Sequence, residues 1–370
     1  MSQSNDKSVR TVRSMKDVVD DGFRPADLES DRIHPDLMFA SARLALRAFA
    51  ETSRAIHGSL HVTEPADSEE DQKTRDFNLS SRYRDAAFET IIHLQHFAEL
   101  VIKDALRRDH ELLVVITGDE HELLHRLLHG ETLQGTEERK LQAVEASLAL
   151  RRLCALRKVG RLDPTYDFVV TSRQFLEVLN GLRNRLWHRG TYTLRFAALD
   201  ELVGRYALPF VHQVCAHAAY QKRAAVLEPQ PLACGIKPFD EIAAELSKTQ
   251  WSVRKVAFLK ELARAAYENP FFDSPWFKDD NDRLRKRAEL VVNEFPEHAV
   301  AEVIDCPVCG VEACAVYVTS DLFEDEHGNE CSRDWTWLAK CEACTLELRA
   351  EYGNPSEHGW TTIPDLWREV

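Results

Sequence analysis

Four cysteines near the end of the chain, in Cys306-Pro307-Val308-Cys309-Gly310 and Cys341-Glu342-Ala343-Cys344, carry the clearest chemistry in the sequence. Each Cys-x2-Cys pair makes a tight turn that points two thiolates at one ion, and the glycine after the first pair suits a backbone that folds back beneath it. The pairs are separated by 31 residues of largely strand-like sequence, the arrangement of a closed, tetrahedral four-sulfur site. Thiolates in that geometry point to Zn2+. With no open coordination position the ion is expected to be structural Zn2+, holding together a domain too small to support itself, so catalysis must lie elsewhere. Cys314 and Cys331, in the insert between the pairs, read as small buried residues.

A second constellation is Leu182-Arg183-Asn184-Arg185-Leu186-Trp187-His188-Arg189-Gly190, at the end of a helix expected to begin near Val169. An Arg followed by a polar Asn, with a His four residues beyond it at the end of a bundle helix, resembles the catalytic motif of the HEPN superfamily. The glycine that closes the helix, the long preceding helix Ser81 to Arg108 and a further helix from Leu194 extend the resemblance over residues 81–222. It implies a HEPN-like antiparallel helical bundle and a metal-independent endoribonuclease that cuts single-stranded RNA, of the sort that resembles prokaryotic toxins and antiphage effectors. It also implies a homodimer, because such enzymes pair two motifs and this chain has one, and a regulatory or antitoxin protein as a possible partner.

The residues themselves suit that chemistry. Without a metal, the nucleophile is the RNA's own 2′-hydroxyl, so the protein supplies a proton-transfer group that works near neutral pH and a cation facing the charge on the phosphorane. His188 suits the first role, and Arg183, with its planar fork of donors, the second. Asn184 is placed to orient the His or the phosphate. Arg185, Arg189 and Arg195 are candidate substrate-binding residues, since no acid falls between Arg183 and Arg195 and the segment is a local basic patch in an acidic chain. The competing reading is a helix C-terminus capped by Arg and His, which the macrodipole favours. That would leave a non-catalytic dimerisation scaffold with a partner-binding ribbon.

A third pattern is His121-Glu122-Leu123-Leu124-His125, which matches the H-E-x-x-H of zinc metalloproteases, with Glu145 following His125 after nineteen intervening residues, a separation that resembles the third ligand of thermolysin-like enzymes. Against it stand an all-helical context without a substrate-binding edge strand, the absence of the metzincin extension at Leu128 and Glu131, and no asparagine before Glu145. His93, His96 and His129 read as helix-surface or satisfied core histidines.

These groups need elements to hold them. A chain of 370 residues with 44% hydrophobic content can bury more than one core, and a formal charge of -14 excludes a uniformly basic nucleic-acid-coating surface. Met1 to Phe23 lacks the apolar segment of a secretory signal and no apolar run reaches bilayer-spanning length, so no membrane association and a cytoplasmic location are expected. Helical periodicity marks Pro35 to His57, Ser81 to Arg108 with a Glu99–Lys103 pair outside, Glu111 to Leu128, Glu137 to Lys158, Val169 to Trp187 and Leu194 to Lys222. Further helices are expected over Asp240 to Lys248, Val253 to Glu268 and Asp280 to Phe295. After Val300 short β-rich runs alternate with the cysteine pairs. The fold expected is therefore mainly α with a small C-terminal β-rich zinc ribbon. Its parts are an N-terminal tail, helix and acidic loop over 1–80, a bundle over 81–222, a connecting helical region over 223–299 and the ribbon over 300–370. The ribbon's many acids favour protein contact or a purely structural role over nucleic-acid binding.

Overall fold

The computed structural model describes residues 35–54, 81–116, 120–131, 141–189, 192–221, 231–269, 278–295, 299–324 and 330–370, with Ser14, Met15 and Ser68. Among them the chain is mainly helical, with a small antiparallel sheet at its C-terminal end. The first helix, α1 (Pro35–Glu51), lies along the longest, α2 (Ser81–Asp109). Apolar residues spaced three and four apart bury one stripe of each helix: Met38, Phe39, Leu46 and Phe49 face Ile91, Leu94, Phe97 and Val101 in a common core. The Glu99–Lys103 pair forms at the expected i,i+4 spacing but is half-buried rather than outside, with Glu99 on the side of α2 that faces Ala146–Lys158 and Arg173–Arg189.

The segment 111–128 is not one helix. It folds as a 3-10 turn (Glu111–Val114), strand β1 (Val115–Ile116) and helix α3 (His121–Leu128), and β1 pairs with β2 (Gln142–Ala143). Three consecutive β-branched residues, Val114 to Ile116, favour extended backbone there. The His110 side chain accepts from Leu112 N at 3.1 Å and starts the turn. The helix α4 (Ala146–Lys158) follows β2, so the expected start at Glu137 is too early by at least that strand.

The helix expected over Val169 to Trp187 is two, α5 (Asp167–Thr171) and α6 (Arg173–Arg189). Thr171 Oγ1 donates to the Phe168 carbonyl at 3.0 Å, a local bond that competes with the helical ladder at the break. Beyond α6, α7 (Phe196–Glu201) runs through a π-helical segment, Leu202–Ala207, into α8 (Leu208–Ala216). Gly204 in that segment lets α9 (Pro238–Leu246) approach: a Cβ there would lie 2.1 Å from Leu246 Cδ1.

The helix α10 (Val253–Tyr267) is central, with every residue from Val256 to Ala266 buried, and α11 (Lys278–Asn293) precedes the sheet. Strands β3 (Val300–Asp305), β4 (Glu312–Glu324), β5 (Glu330–Cys341) and β6 (Glu347–Arg349) pair antiparallel in sequence order; of the β-rich runs in the sequence, Ala315 to Val318 lies in β4, Trp335 to Leu338 in β5, and Thr345 to Leu348 reaches β6 only from Glu347 on, Thr345 and Leu346 lying in the turn before it. The hydrophobic core is continuous from the helices into the sheet, through Cys306, Val308, Leu346 and Leu348. Backbone bonds from Ala233 N to Val308 O (3.1 Å) and Cys234 N to Pro307 O (2.9 Å) join the chain before α9 to the first cysteine turn. Among the described residues no helix is long and apolar enough to cross a membrane.

Candidate metal centre and candidate catalytic face

The four cysteine sulfurs of Cys306, Cys309, Cys341 and Cys344 lie within 4.8 Å of one another. The Cys306–Cys344 and Cys309–Cys341 Sγ···Sγ distances are 3.5 and 3.7 Å. A tetrahedral ion bound at about 2.3 Å to each sulfur would hold its ligands about 3.8 Å apart, so the donor set fits a metal ion of that kind. Each turn also offers a backbone donor to its first sulfur, Val308 N to Cys306 and Ala343 N to Cys341, both at 3.4 Å. The two turns match in backbone as well: the residue after each pair has positive φ, 70° at Gly310 and 65° at Thr345. For a β-branched residue that conformation is strained. Cys314 is buried beside the site in register with Cys341, and Cys331 is half-buried, neither one joining the cluster.

What holds Thr345 is a buried ionic latch between the ribbon and α10. Arg264 donates to both carboxylate oxygens of Glu261 (2.6 and 2.8 Å), to Glu268 (2.6 Å) and to the Thr345 carbonyl (2.6 Å). Glu261 also accepts from Glu347 N at 2.8 Å and Ser53 Oγ at 3.1 Å, so the carboxylate ties α1, α10 and β6 together. Both side chains are fully buried. One turn away Lys260 pairs with Asp200 of α7, donates to Thr52 Oγ1 at 2.9 Å and lies over the Phe49 and Phe196 rings. Burial pushes the Asp200 carboxyl up to about 6, against the pull of Lys260. Sequence reading passed over this cluster, although three charges inside the apolar run of α10 were its visible sign.

The arginine-histidine segment lies at the solvent-facing end of α6. Leu179, Leu182 and Leu186 face the core, Arg183 is half-buried, and Asn184, Arg185, Trp187 and His188 are exposed. Arg189 belongs to α6, but its side chain lies outside the described residues; Arg195 is exposed at the start of α7. Arg183 donates to Asn184 Oδ1 at 3.0 Å and its guanidinium sits 5.7 Å from the Trp187 ring centroid. Trp187 in turn stacks on Phe88 of α2, centroids 6.3 Å apart, while remaining 59% exposed. Arg185 lies over Tyr192 at 5.6 Å, and Tyr83 holds the following segment by donating to Leu194 O at 2.7 Å. Helix α6 therefore runs antiparallel to α2, and its charged end meets the start of α2. Residues five apart on a helix diverge by about 140° around its axis, so the Cα–Cβ bonds of Arg183 and His188 leave the helix in different directions.

The H-E-x-x-H residues are brought together less well. His121, Glu122 and His125 are exposed on the short α3, with the His125 ring 4.3 Å from that of His129, and Glu145 is exposed just before α4. Among the described residues these groups form no cluster that could hold a metal ion. The His96 ring meets Ser41 Oγ at 2.9 Å, and burial pushes its pKa down. His217 lies 2.9 Å from Thr165 Oγ1, a pairing with the look of a nucleophile and its base. Its Nδ1 accepts from Ala219 N at 3.2 Å, so in the neutral ring the proton sits on Nε2 and is donated to the threonine. That fixes His217 as a structural cap. Comparison with known proteins adds nothing to this picture: no family model, curated protein or solved structure matches the chain.

Proposed function

We propose that the chain is a metal-independent endoribonuclease of the HEPN type, active as a homodimer, whose C-terminal ribbon is stapled by structural Zn2+. The observation that carries the reading is the end of α6, where Asn184, Arg185 and His188 stand in solvent and the half-buried Arg183 lies beside an aromatic surface. No acid lies between Arg183 and Arg195 in the sequence. A phosphodiester approaching this end meets cations that hold its oxygens and flat rings on which bases stack.

Because Arg183 and His188 diverge within one chain, the working site needs a second copy. Twofold apposition of two α6 ends around Trp187 would set the Arg183 of one chain against the His188 of the other, burying an indole that otherwise faces water. The imidazole takes the 2′-hydroxyl proton as that oxygen attacks phosphorus, Arg183 balances the charge on the phosphorane oxygens, and as the P–O5′ bond breaks the imidazolium returns the proton to the departing 5′-oxygen. The products are a 2′,3′-cyclic phosphate and a 5′-hydroxyl. Zn2+ suits the four thiolates best among common ions, and a reduced four-cysteine site fits the cytoplasm.

The test is cleavage of single-stranded RNA in EDTA. Wild-type protein should cut, with Arg183→Ala and His188→Ala each lowering the rate by at least about 100-fold. Wild-type activity that needs added metal, or variants that cut as well as wild type, would refute the proposal. A chain that dimerises yet leaves RNA intact would be a scaffold instead.

A further inference from the structure

Between α2, α4 and α6 lies a cleft of about 190 Å3 whose lining includes Asn180, one helical turn before Arg183. We propose that this cleft receives a guanine base of the RNA substrate and sets the cleavage preference; the inference rests on the nuclease reading above. Its walls and its polar groups divide the work. Ile102, Leu150 and Leu176 are buried apolar side chains that offer flat contact to the faces of a ring. Gln95, Glu99 and Asn180 supply the hydrogen-bonding edge.

The edge is preset. Gln95 is buried and its amide nitrogen donates to Glu99 Oε2 at 3.0 Å and to Asn180 Oδ1 at 3.4 Å. Because the Asn180 oxygen accepts from Gln95, its amide nitrogen is left to donate. Burial raises the Glu99 pKa, but the hydrogen bond and charge of Lys103, with the Gln95 amide, outweigh it and hold the carboxyl below its usual range. The cleft therefore presents an acceptor-only carboxylate beside an amide donor. Guanine matches both, with N1–H and the N2 amino group facing the carboxylate and O6 facing the amide. Adenine would turn its N1 lone pair toward the carboxylate, and cytosine its N3, leaving acceptor against acceptor with no hydrogen bond between them.

Position links the cleft to the proposed chemistry. Asn180 and Arg183 are three residues apart on α6, a rise of about 4.5 Å on nearly the same side of the helix, and Trp187 continues that line. A base seated on Asn180 places its own phosphate beside Arg183. Arg151 and Ser147, from the first turns of α4, form the opposite rim.

Calorimetric titration of the full chain with the four nucleoside 5′-monophosphates tests this, run beside cleavage of RNAs that differ in one base. GMP should bind at least tenfold more tightly than AMP, CMP or UMP. Glu99→Gln should weaken GMP at least tenfold, and Ser147→Trp, which fills the cleft from an exposed rim position, should do the same without touching the polar edge. His188→Ala should bind GMP as wild type does while failing to cut. Equal binding of all four nucleotides, no GMP binding, or GMP binding indifferent to both cleft variants would overturn the proposal. RNA cut by wild type and Glu99→Gln with the same indifference to base would overturn it while leaving the nuclease reading intact. GMP binding with the predicted variant effects but no RNA cleavage would instead sink the nuclease reading and keep the guanine site.

Discussion

Replacing Arg264 by Met should destabilise the protein by about 3–5 kcal/mol, the range for breaking a buried ion pair from one side. The structure puts the value inside that range. Both partners are fully buried, so no solvent screening reduces the effect. Methionine fills most of the aliphatic volume, so the loss is electrostatic rather than a cavity. It leaves the Glu261 carboxylate with two donors, Ser53 Oγ and Glu347 N, in place of four. It also removes a donor from the Thr345 carbonyl, which keeps Arg54 at 3.0 Å. Since Thr345 follows the last cysteine of the cluster, the loss should appear at the metal as well. Urea unfolding followed by tryptophan fluorescence, with zinc release read by a chromogenic chelator, measures both. The double variant Glu261→Met/Arg264→Met should recover at least about 2 kcal/mol of the single variant's loss, because the uncompensated charge is gone. An Arg264→Met cost below about 1 kcal/mol, or a double variant as costly as the sum of its parts, would refute the latch.

Cys344→Ser should drop bound zinc from one ion per chain to none by elemental analysis and loosen the ribbon, as protease sensitivity between β3 and β6 would report. Retained stoichiometric zinc would contradict the four-sulfur assignment. Gly204→Ala should cost about 1–3 kcal/mol in chemical denaturation, since the added methyl meets Leu246 and forces α9 outward; a neutral outcome would mean that α9 does not pack there. Burial and the nearby Arg108 push His217 below its ordinary value. The unfolded chain then binds more protons just below about pH 6.5, so stability is held above that pH and falls as pH drops toward the folded value. His217→Gln should flatten that part of the thermal-stability profile between pH 7 and 5, and an unchanged slope would count against it.

Local pattern made some of this legible in the sequence. The apolar stripe of α2 and the paired cysteines depend on neighbours three, four or 32 residues away, and both appear where expected. The exposure of Asn184 and His188 follows from the same periodicity, because Leu179, Leu182 and Leu186 take the inward face. Long-range relations were not legible. Nothing near Val115 announces its partner Ala143, and nothing near Thr345 announces that arginines from α1's end and α10 will hold it at positive φ. Lys260, Glu261 and Arg264 stand out inside the apolar run of α10, but their partners Asp200, Ser53, Thr345 and Glu347 come from other elements that no spacing rule reaches. The amide edge of the cleft joins residues 95 and 180, too far apart in the chain for any spacing rule.

The composite site is tested most directly by mixing two inactive proteins. Arg183→Ala and His188→Ala chains should each fail to cut single-stranded RNA in EDTA, yet regain about a quarter of wild-type activity once unfolded and refolded together, because half the dimers then carry one intact site of two. Recovered activity with 2′,3′-cyclic phosphate ends is the predicted result. A mixture as inactive as its components, although heterodimers form, would contradict the pairing of Arg183 with the partner chain's histidine.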